Sequence, residues 1–203
     1  VFHVKQHAAC WPDVSRETSE RLERFAALVL TWNQTINLVS RRDAAHLRER
    51  HIADSLNLLP YLPPGFDRAI DLGSGGGFPG LVLAIATGRH FDLVESDQRK
   101  AAFLREAARI LEAPAQVHAE RIEAVRLPPA PLVTARALAP LSTLIAWAAP
   151  LLAPGGACVF PKGRTVDEEL TRARSEWHMR VEQWPSALDP SARILRLSEI
   201  TRG

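Results

Sequence analysis

The chain has 203 residues, 25 basic against 23 acidic side chains, a formal net charge of +2 and 46% apolar residues. That is room for one good-sized α/β unit with a modest extension, at the apolar share of an ordinary soluble globular protein. The small positive charge permits nucleic-acid binding without arguing for it. No run approaches the roughly 18 apolar residues of a membrane span. The first residues lack a signal-peptide pattern, and Val1 in place of methionine is consistent with a trimmed start. Cys10 and Cys158 are far apart with no metal-ligand spacing, and the histidines build no zinc signature. A cytoplasmic protein with inert thiols, no membrane attachment and no metal is the expectation.

In chain order, the first sixty or so residues read as helical. Leu22, Phe25, Val29, Trp32, Ile36 and Val39 recur at three- and four-residue steps and make one long amphipathic stripe. A turn over Asn37 to Asp43 breaks it, and a second helix is predicted from Ala44 to Leu59, stopping at Pro60 and the Pro63-Pro64-Gly65 cluster. Strands and helices then alternate. The strands are Arg68–Leu72, Phe91–Glu95, Gln116–Ala119, Leu132–Ala135 and Ala157–Pro161. The helices between and after them are Pro79–Thr87, Gln98 to Leu111, Leu141–Leu152 and Asp167–Trp177. Val181–Leu188 and Arg193–Leu197 read as a terminal hairpin. This order predicts a doubly wound, mostly parallel sheet with an antiparallel C-terminal strand and an N-terminal helical extension, divided as residues 1–64 and 65–203.

The most informative stretch is Asp71-Leu72-Gly73-Ser74-Gly75-Gly76-Gly77-Phe78-Pro79-Gly80, between the first strand and its helix. Glycines there let backbone approach a ligand closely. A dinucleotide fingerprint would place its third glycine where Phe78 stands. Asp71 would repel a pyrophosphate but suits a ligand carrying an amino group and a positive sulfonium. The pattern resembles the S-adenosylmethionine loop of Rossmann-like methyltransferases and disfavours a nicotinamide oxidoreductase. Gly73, Gly75, Gly77 and Phe78 are the candidate loop contacts, and Glu95, about twenty residues on, is placed to accept the ribose hydroxyls. Two readings stand for Glu120-Arg121-Ile122-Glu123: Ile122 and Glu123 hold an adenine, or the acidic residues simply favour a helix N-terminus.

The fourth strand ends at Arg136 and the fifth at Lys162. Cations at neighbouring strand ends argue for a polyanionic substrate, and arginine can hold a phosphate or a guanine edge bidentately. No Asn-Pro-Pro-Tyr-like tetrad follows the fourth strand and no cysteine stands at a strand end. Exocyclic-amine and C5 methylation are therefore disfavoured. Guanine N7 has an in-plane lone pair and no proton to remove, so it needs alignment and electrostatics alone. In the N-terminal part, His51 shares a helix face with Asp54 and Ser55. The pair reads as a structural tether, with nothing nearby to supply a third member. The Arg41-Arg42 and Arg48-Arg50 pairs read either as RNA-phosphate contacts or as a solvated face.

Together these residues resemble the glucose-inhibited division protein B family, the bacterial small-subunit ribosomal RNA guanine-N7 methyltransferases. The likeness rests on Trp32-Asn33 through Asn37-Leu38, Arg50-His51-Ile52-Ala53-Asp54-Ser55, Asp71 through Gly80, Glu95-Ser96, Phe103-Leu104, Arg121-Ile122-Glu123, Ala135-Arg136-Ala137 and Lys162-Gly163. It implies S-adenosylmethionine as methyl donor and a guanine in the 530 loop of 16S rRNA as acceptor, on naked rRNA or the 30S subunit. It also implies that Gly73 and Phe78 line the cofactor, that Ile122 and Glu123 hold the adenine, and that Arg136 lies between cofactor and substrate. Arg136, with Lys162 and Arg121 assisting, is the expected catalytic group, in a protein expected to be monomeric. A non-catalytic cofactor-binding RNA or assembly factor is the alternative.

Overall fold

The computed structural model describes residues 11, 14–187 and 189–203; Cys10 and Leu188, the last residue of one predicted strand, lie outside them. The N-terminal stripe folds as helix α1 (Arg16–Trp32), begun by Ser15, whose Oγ accepts from the Thr18 N–H at 3.1 Å. It buries Leu22, Phe25 and Val29. At its end Asn33 Oδ1 accepts from the Leu38 and Val39 N–H groups, at 2.8 and 3.0 Å, and turns the chain. That turn tucks Val39 under the same core.

The single helix predicted over Ala44–Leu59 is instead four short pieces. They are helix α2 (Arg41–Ala44), a wide π-type turn (Arg48–Ile52), helix α3 (Ala53–Leu56) and a 3-10 turn (Leu59–Tyr61). Ser40 caps α2 through the Asp43 N–H, so the helix starts inside the predicted turn. The break has a packing cause. Leu47 and Ile52 are both buried, five residues apart. An α-helix would put them on different faces, whereas the extra residue of a π turn brings both to the core.

Beyond residue 65 come strand β1 (Arg68–Leu72), helix α4 (Gly80–Thr87), β2 (His90–Val94), α5 (Gln98–Ile110), β3 (Ala115–His118), β4 (Ala130–Ala135) and α6 (Leu141–Ala148). Then follow β5 (Leu152–Lys162), α7 (Val166–Arg174), β6 (Trp177–Pro185) and β7 (Arg193–Arg202). The sheet order is β3-β2-β1-β4-β5-β7-β6, parallel except where β7 runs against β5 and β6. Strand residues alternate between two apolar layers: Ala69, Phe91, Leu93 and Leu132 face α1, α4 and α5, while Ile70, Leu72, Val94 and Val133 face α6 and α7. Doubly wound topology with an antiparallel final strand is as predicted.

The later boundaries differ. Helix α6 ends at Ala148, ahead of Pro150, and a 3-10 turn leads into a fifth strand that takes in Pro154-Gly155-Gly156. Trp177, predicted as the end of a helix, opens β6, where it is buried against the α6–α7 layer. Asp92, deep in β2, is met by Arg68 Nε and His118 Nε2, each at 2.7 Å. Cys158 is a free thiol buried in β5, its pKa pushed far up by burial. No helix among the described residues is long and apolar enough to cross a membrane.

The N-terminal elements and the Rossmann layers share one core. Phe25 lies 5.4 Å from Phe78 and 6.4 Å from Phe103, ring to ring, and Trp32 meets the edge of Phe103. Tyr61 stacks on Trp184 of β6 at 4.6 Å, tying the segment after α3 to the terminal hairpin. Asn33 Oδ1 is the acceptor for the Val39 N–H and shares the Leu38 N–H with the Ile36 carbonyl, so Asn33→Ala leaves the Val39 N–H without its acceptor. It should lower stability by about 1–3 kcal/mol in urea unfolding; an unchanged midpoint would show that the turn closes without it.

Candidate active site

Strand order reverses between β1 and β4, and the crevice at such a switch point is where doubly wound sheets bind ligands. Leu72 pairs with Ala135 in the last register of β1 and β4, so Gly73 and Arg136 leave the sheet side by side. Gly73, Gly75 and Gly77 all have positive φ, at 65°, 54° and 92°. A Cβ at Gly73 would stand 2.6 Å from Leu138, and one at Gly77 would stand 2.9 Å from Phe25. The loop is closed from within by the Gly77 N–H donating to the Ser74 carbonyl at 2.7 Å.

Glu95, just past β2, braces this loop. Its Oε2 accepts from the Gly75 N–H at 2.8 Å and its Oε1 from the Asp97 N–H at 2.7 Å. Each carboxylate oxygen keeps a further lone pair for a ribose hydroxyl. Ile122 is half-buried against the α6–α7 layer, and Glu123 and Arg121 are exposed in the turn after β3. The backbone carbonyl of Arg121 accepts the N–H groups of Ala124 and Val125.

Asp71 sits differently from the expectation that it faces an amino or sulfonium group. It is fully buried beneath the loop. Its Oδ1 accepts from Thr134 Oγ1 at 2.6 Å, and its Oδ2 lies against the Gly80 backbone without a well-formed hydrogen bond. Residue 80 must be glycine here, since a Cβ would come within 2.5 Å of Asp71 Oδ2. Burial pushes the carboxyl up to about 6, with Thr134, Ser74 and Gly80 pulling the other way. Phe78 too is buried, between Phe25, the His51 ring at 5.0 Å and the Arg136 guanidinium at 5.3 Å.

On the other side of Arg136 opens a cleft of about 980 Å³. Its walls come from three places: His46, Arg50 and His51 of the N-terminal segment, the ends of β4 and β5, and the hairpin tip at Asp189 and Arg193. Arg136 is on its wall, whereas Gly73, Gly75 and Gly77 are not among its lining residues.

Arg136 is held by the pair read above as a tether without a third member; it is that third member. Its Nη2 donates to His51 Nδ1 at 2.6 Å, and its Nη1 lies 3.5 Å from both Asp54 Oδ2 and the Arg50 carbonyl. Burial pulls the guanidinium pKa down while Asp54 and Asp71 hold it up. The same burial, with the Arg136 charge, depresses His51 to about 4, so the ring is neutral at physiological pH. Burial raises Asp54 against the pull of Arg136. The signals for this cluster were the His51–Asp54 spacing and, separately, Arg136 at a strand end; nothing in the sequence joined them across the 85 residues between His51 and Arg136.

Lys162 is not a free cation. Its Nζ lies 2.6 Å from Glu169 Oε2 and donates to the Ala139 carbonyl, with only a tenth of the side chain exposed. The other oxygen of Glu169 accepts from Thr165, and Oε2 also accepts from the Leu141 N–H, so the pair locks α6 and α7 to β5. Arg48 is taken by Glu23 in a bidentate pair, while Arg50 reaches the cleft wall beside Asp43. Acidic side chains line the cleft among the basic ones, so cations alone do not define its ligand.

Because the Asp71 carboxyl is held near 6 in the fold against an ordinary 3.8, its protonated form favours the folded state, and that advantage disappears as pH rises through about 6. Asp71→Asn should remove this dependence. The stability difference between variant and wild type, from urea unfolding at pH 4 and pH 7.5, should move by about 2.4 kcal/mol in favour of the variant. A difference that does not change with pH would contradict the burial argument.

Residues 18–193 match the family model described as rRNA small subunit methyltransferase G. The chain is 58% identical over 212 residues, covering all of both chains, to a protein of Granulibacter bethesdensis named ribosomal RNA small subunit methyltransferase G. It is 60% identical to the one so named from Acidiphilium cryptum, covering 94% of each. The fold resembles cofactor-bound Rv0187 from MTB, with a TM-score of 0.60 at 16% identity over 88% of this chain and 89% of that one. It also resembles an O-methyltransferase from Bacillus cereus in complex with SAH, with a TM-score of 0.55 at 14% identity over 88% of this chain and 100% of the other. A class I methyltransferase sheet, with this loop at its switch point and this identity along its whole length, means that the chain belongs to the rRNA small subunit methyltransferase G family.

Proposed function

We infer that the protein is an S-adenosylmethionine-dependent methyltransferase that methylates N7 of a guanine in 16S rRNA, in the 530 loop as the family resemblance implies. The observation that carries this reading is the position of Arg136: it leaves the sheet beside a positive-φ glycine loop with a carboxylate at its edge, and it stands on the wall of a large cleft lined by acidic and basic side chains.

The residues present fit the cofactor. Gly73 and Gly75 bring bare backbone to the loop surface, Glu95 has lone pairs left for the ribose, and Ile122 with Glu123 would hold the adenine. Asp71 and Gly77 act from beneath, by fixing the loop's shape against Gly80 and Phe25; Phe78 serves as the wall between loop and cleft. When bound, S-adenosylmethionine supplies an electrophilic methyl group on a positive sulfonium.

The acceptor needs no base. Guanine N7 offers its lone pair without losing a proton, so alignment and local electrostatics carry the rate. The two side chains that hold Arg136 are already committed: His51 Nδ1 is engaged, and Asp54 is paired. Arg136 is the group proposed to touch substrate, donating to the guanine O6 edge or to a phosphate. Its pairing with Asp54 keeps the site close to neutral, so the positive charge that develops on the guanine meets little repulsion. Arg121, exposed beyond β3, and Arg50, on the cleft wall, are proposed to contact RNA phosphates. Lys162 is proposed to act through α6 and α7 by its ion pair with Glu169. A monomer acting on rRNA or on the 30S subunit in the cytoplasm completes the reading.

The test is methyl transfer from labelled S-adenosylmethionine to 30S subunits that lack the modification. Wild type should transfer one methyl per subunit. Arg136→Ala should lose at least a hundredfold in kcat/KM, about 3 kcal/mol of transition-state stabilisation, while its cofactor Kd changes less than fivefold. Full activity in that variant removes Arg136 from the chemistry. Wild-type protein that binds cofactor without transferring would favour a binding or assembly factor.

A further inference from the structure

We propose that His51 is a positioning residue whose Nδ1 lone pair fixes the rotation of the Arg136 guanidinium, so that the arginine holds guanine O6 and leaves N7 free. The inference rests on the reading of Arg136 as the substrate-facing group and adds what controls its specificity.

The chemistry behind it is a conflict. Left to itself, an arginine meets a guanine Hoogsteen edge bidentately, with one N–H on O6 and the other on N7. That contact binds guanine well and occupies the very lone pair to be methylated. An N7 methyltransferase that uses an arginine here must deny it the bidentate pose.

The structure supplies the means. The guanidinium has five N–H donors in a planar fork. One Nη2 hydrogen goes to His51 Nδ1 at 2.6 Å, and Nη1 is directed to the Arg50 carbonyl and Asp54 at 3.5 Å each. These contacts fix the guanidinium plane and leave Nε–H and one Nη2 hydrogen; in this proposal His51 takes the Nη2 hydrogen syn to Nε–H, so the two left over diverge and cannot span O6 and N7 together. Phe78 supports that plane from its face, with the guanidinium carbon 5.3 Å from the ring centroid, and packs against His51 as well. The residue after Arg136 departs from ordinary backbone: Ala137 has φ 50°, an uncommon conformation for a side chain with a Cβ. The chain therefore accepts a local cost at the point where it aims Arg136 into the cleft.

Tautomer logic makes the role specific to His51. Arginine only donates, so Nδ1 must carry the lone pair and Nε2 the proton in the neutral ring. Nε2 is buried with no hydrogen-bond partner. A donor left unmatched inside the protein is costly, and here it is the consequence of committing Nδ1 to Arg136. The charged groups facing the ring are Arg136, Asp43 and Arg50, with Asp54 reaching it through Arg136. A structural tether to Asp54 alone would instead have placed a proton on Nδ1 or left the ring exposed.

The variant that separates the roles is His51→Phe, which keeps an aromatic ring against Phe78 and removes the acceptor. In steady-state methylation of unmodified 30S subunits, kcat should fall at least tenfold, while KM for the subunit stays within twofold or drops as the freed arginine takes its bidentate pose. His51→Asn, whose amide oxygen can accept from Arg136, should recover part of the lost kcat. A Phe variant with wild-type kcat, or one in which only KM rises, overturns the proposal. Should that variant not fold, imidazole nitrogen NMR on the wild-type protein decides. His51 should be the neutral Nε2–H tautomer at pH 7 and stay neutral to pH 5; an Nδ1–H tautomer, or titration near 6.5, overturns it. The NMR result stands whatever the methylation assay shows. Loss of activity in Arg136→Ala together with full activity in His51→Phe sinks this inference and leaves the methyltransferase reading in place.

Discussion

Arg136 is a largely buried, permanently charged group, and the arrangement around it follows from the need to satisfy it. A guanidinium cannot shed its proton when it leaves water, so the fold must bring it acceptors and negative charge. It does so from a distance in sequence. Arg50, His51 and Asp54 come from the N-terminal segment, and Asp71 contributes its field from beneath the glycine loop. The π-type turn over Arg48–Ile52 belongs to this requirement: it buries Ile52 and presents His51 to Arg136 in one stroke. The N-terminal segment is therefore proposed to be part of the active site, which a boundary at residue 64 would cut through.

Two carboxylates that look alike in sequence take opposite parts. Glu95 is met by two backbone N–H groups at the loop edge, one on each carboxylate oxygen. Asp71 is sealed under the loop with one strong hydrogen bond, and burial raises its pKa toward neutrality. The first suits contact with a ligand; the second suits holding the loop against α4, where Gly80 leaves it just enough space. A similar division holds for the cations. Arg136 keeps donors directed at the cleft, whereas Lys162 spends its charge on Glu169 to hold two helices in place.

Much of the fold was legible because its signals are local. Strand alternation, the glycine turn and the proline breakers act over a few residues, and the sheet they predict is the sheet that forms. What escaped were features decided by distant contacts. Trp177 has no local reason to leave a helix; it does so because the α6–α7 layer offers a buried place on β6. The second helix breaks because Leu47 and Ile52 must reach one core, a demand that helical periodicity does not reveal. In the site, the loop glycines and Arg136 were visible from strand-end position alone. The neutralisation of Lys162 and the third member beside His51 and Asp54 needed the folded chain, since their partners lie on other elements.

The account turns on which atom of which base receives the methyl group. Mass mapping of 16S rRNA, from 30S subunits that lack the modification and were then incubated with this protein and S-adenosylmethionine, measures it directly. The account predicts one new 7-methylguanosine, confined to the fragment that carries the 530 loop. A methyl group on an exocyclic amine, on a pyrimidine carbon or on a ribose hydroxyl would contradict it, because each of those acceptors must lose a proton, whereas the chemistry proposed at Arg136 uses no base.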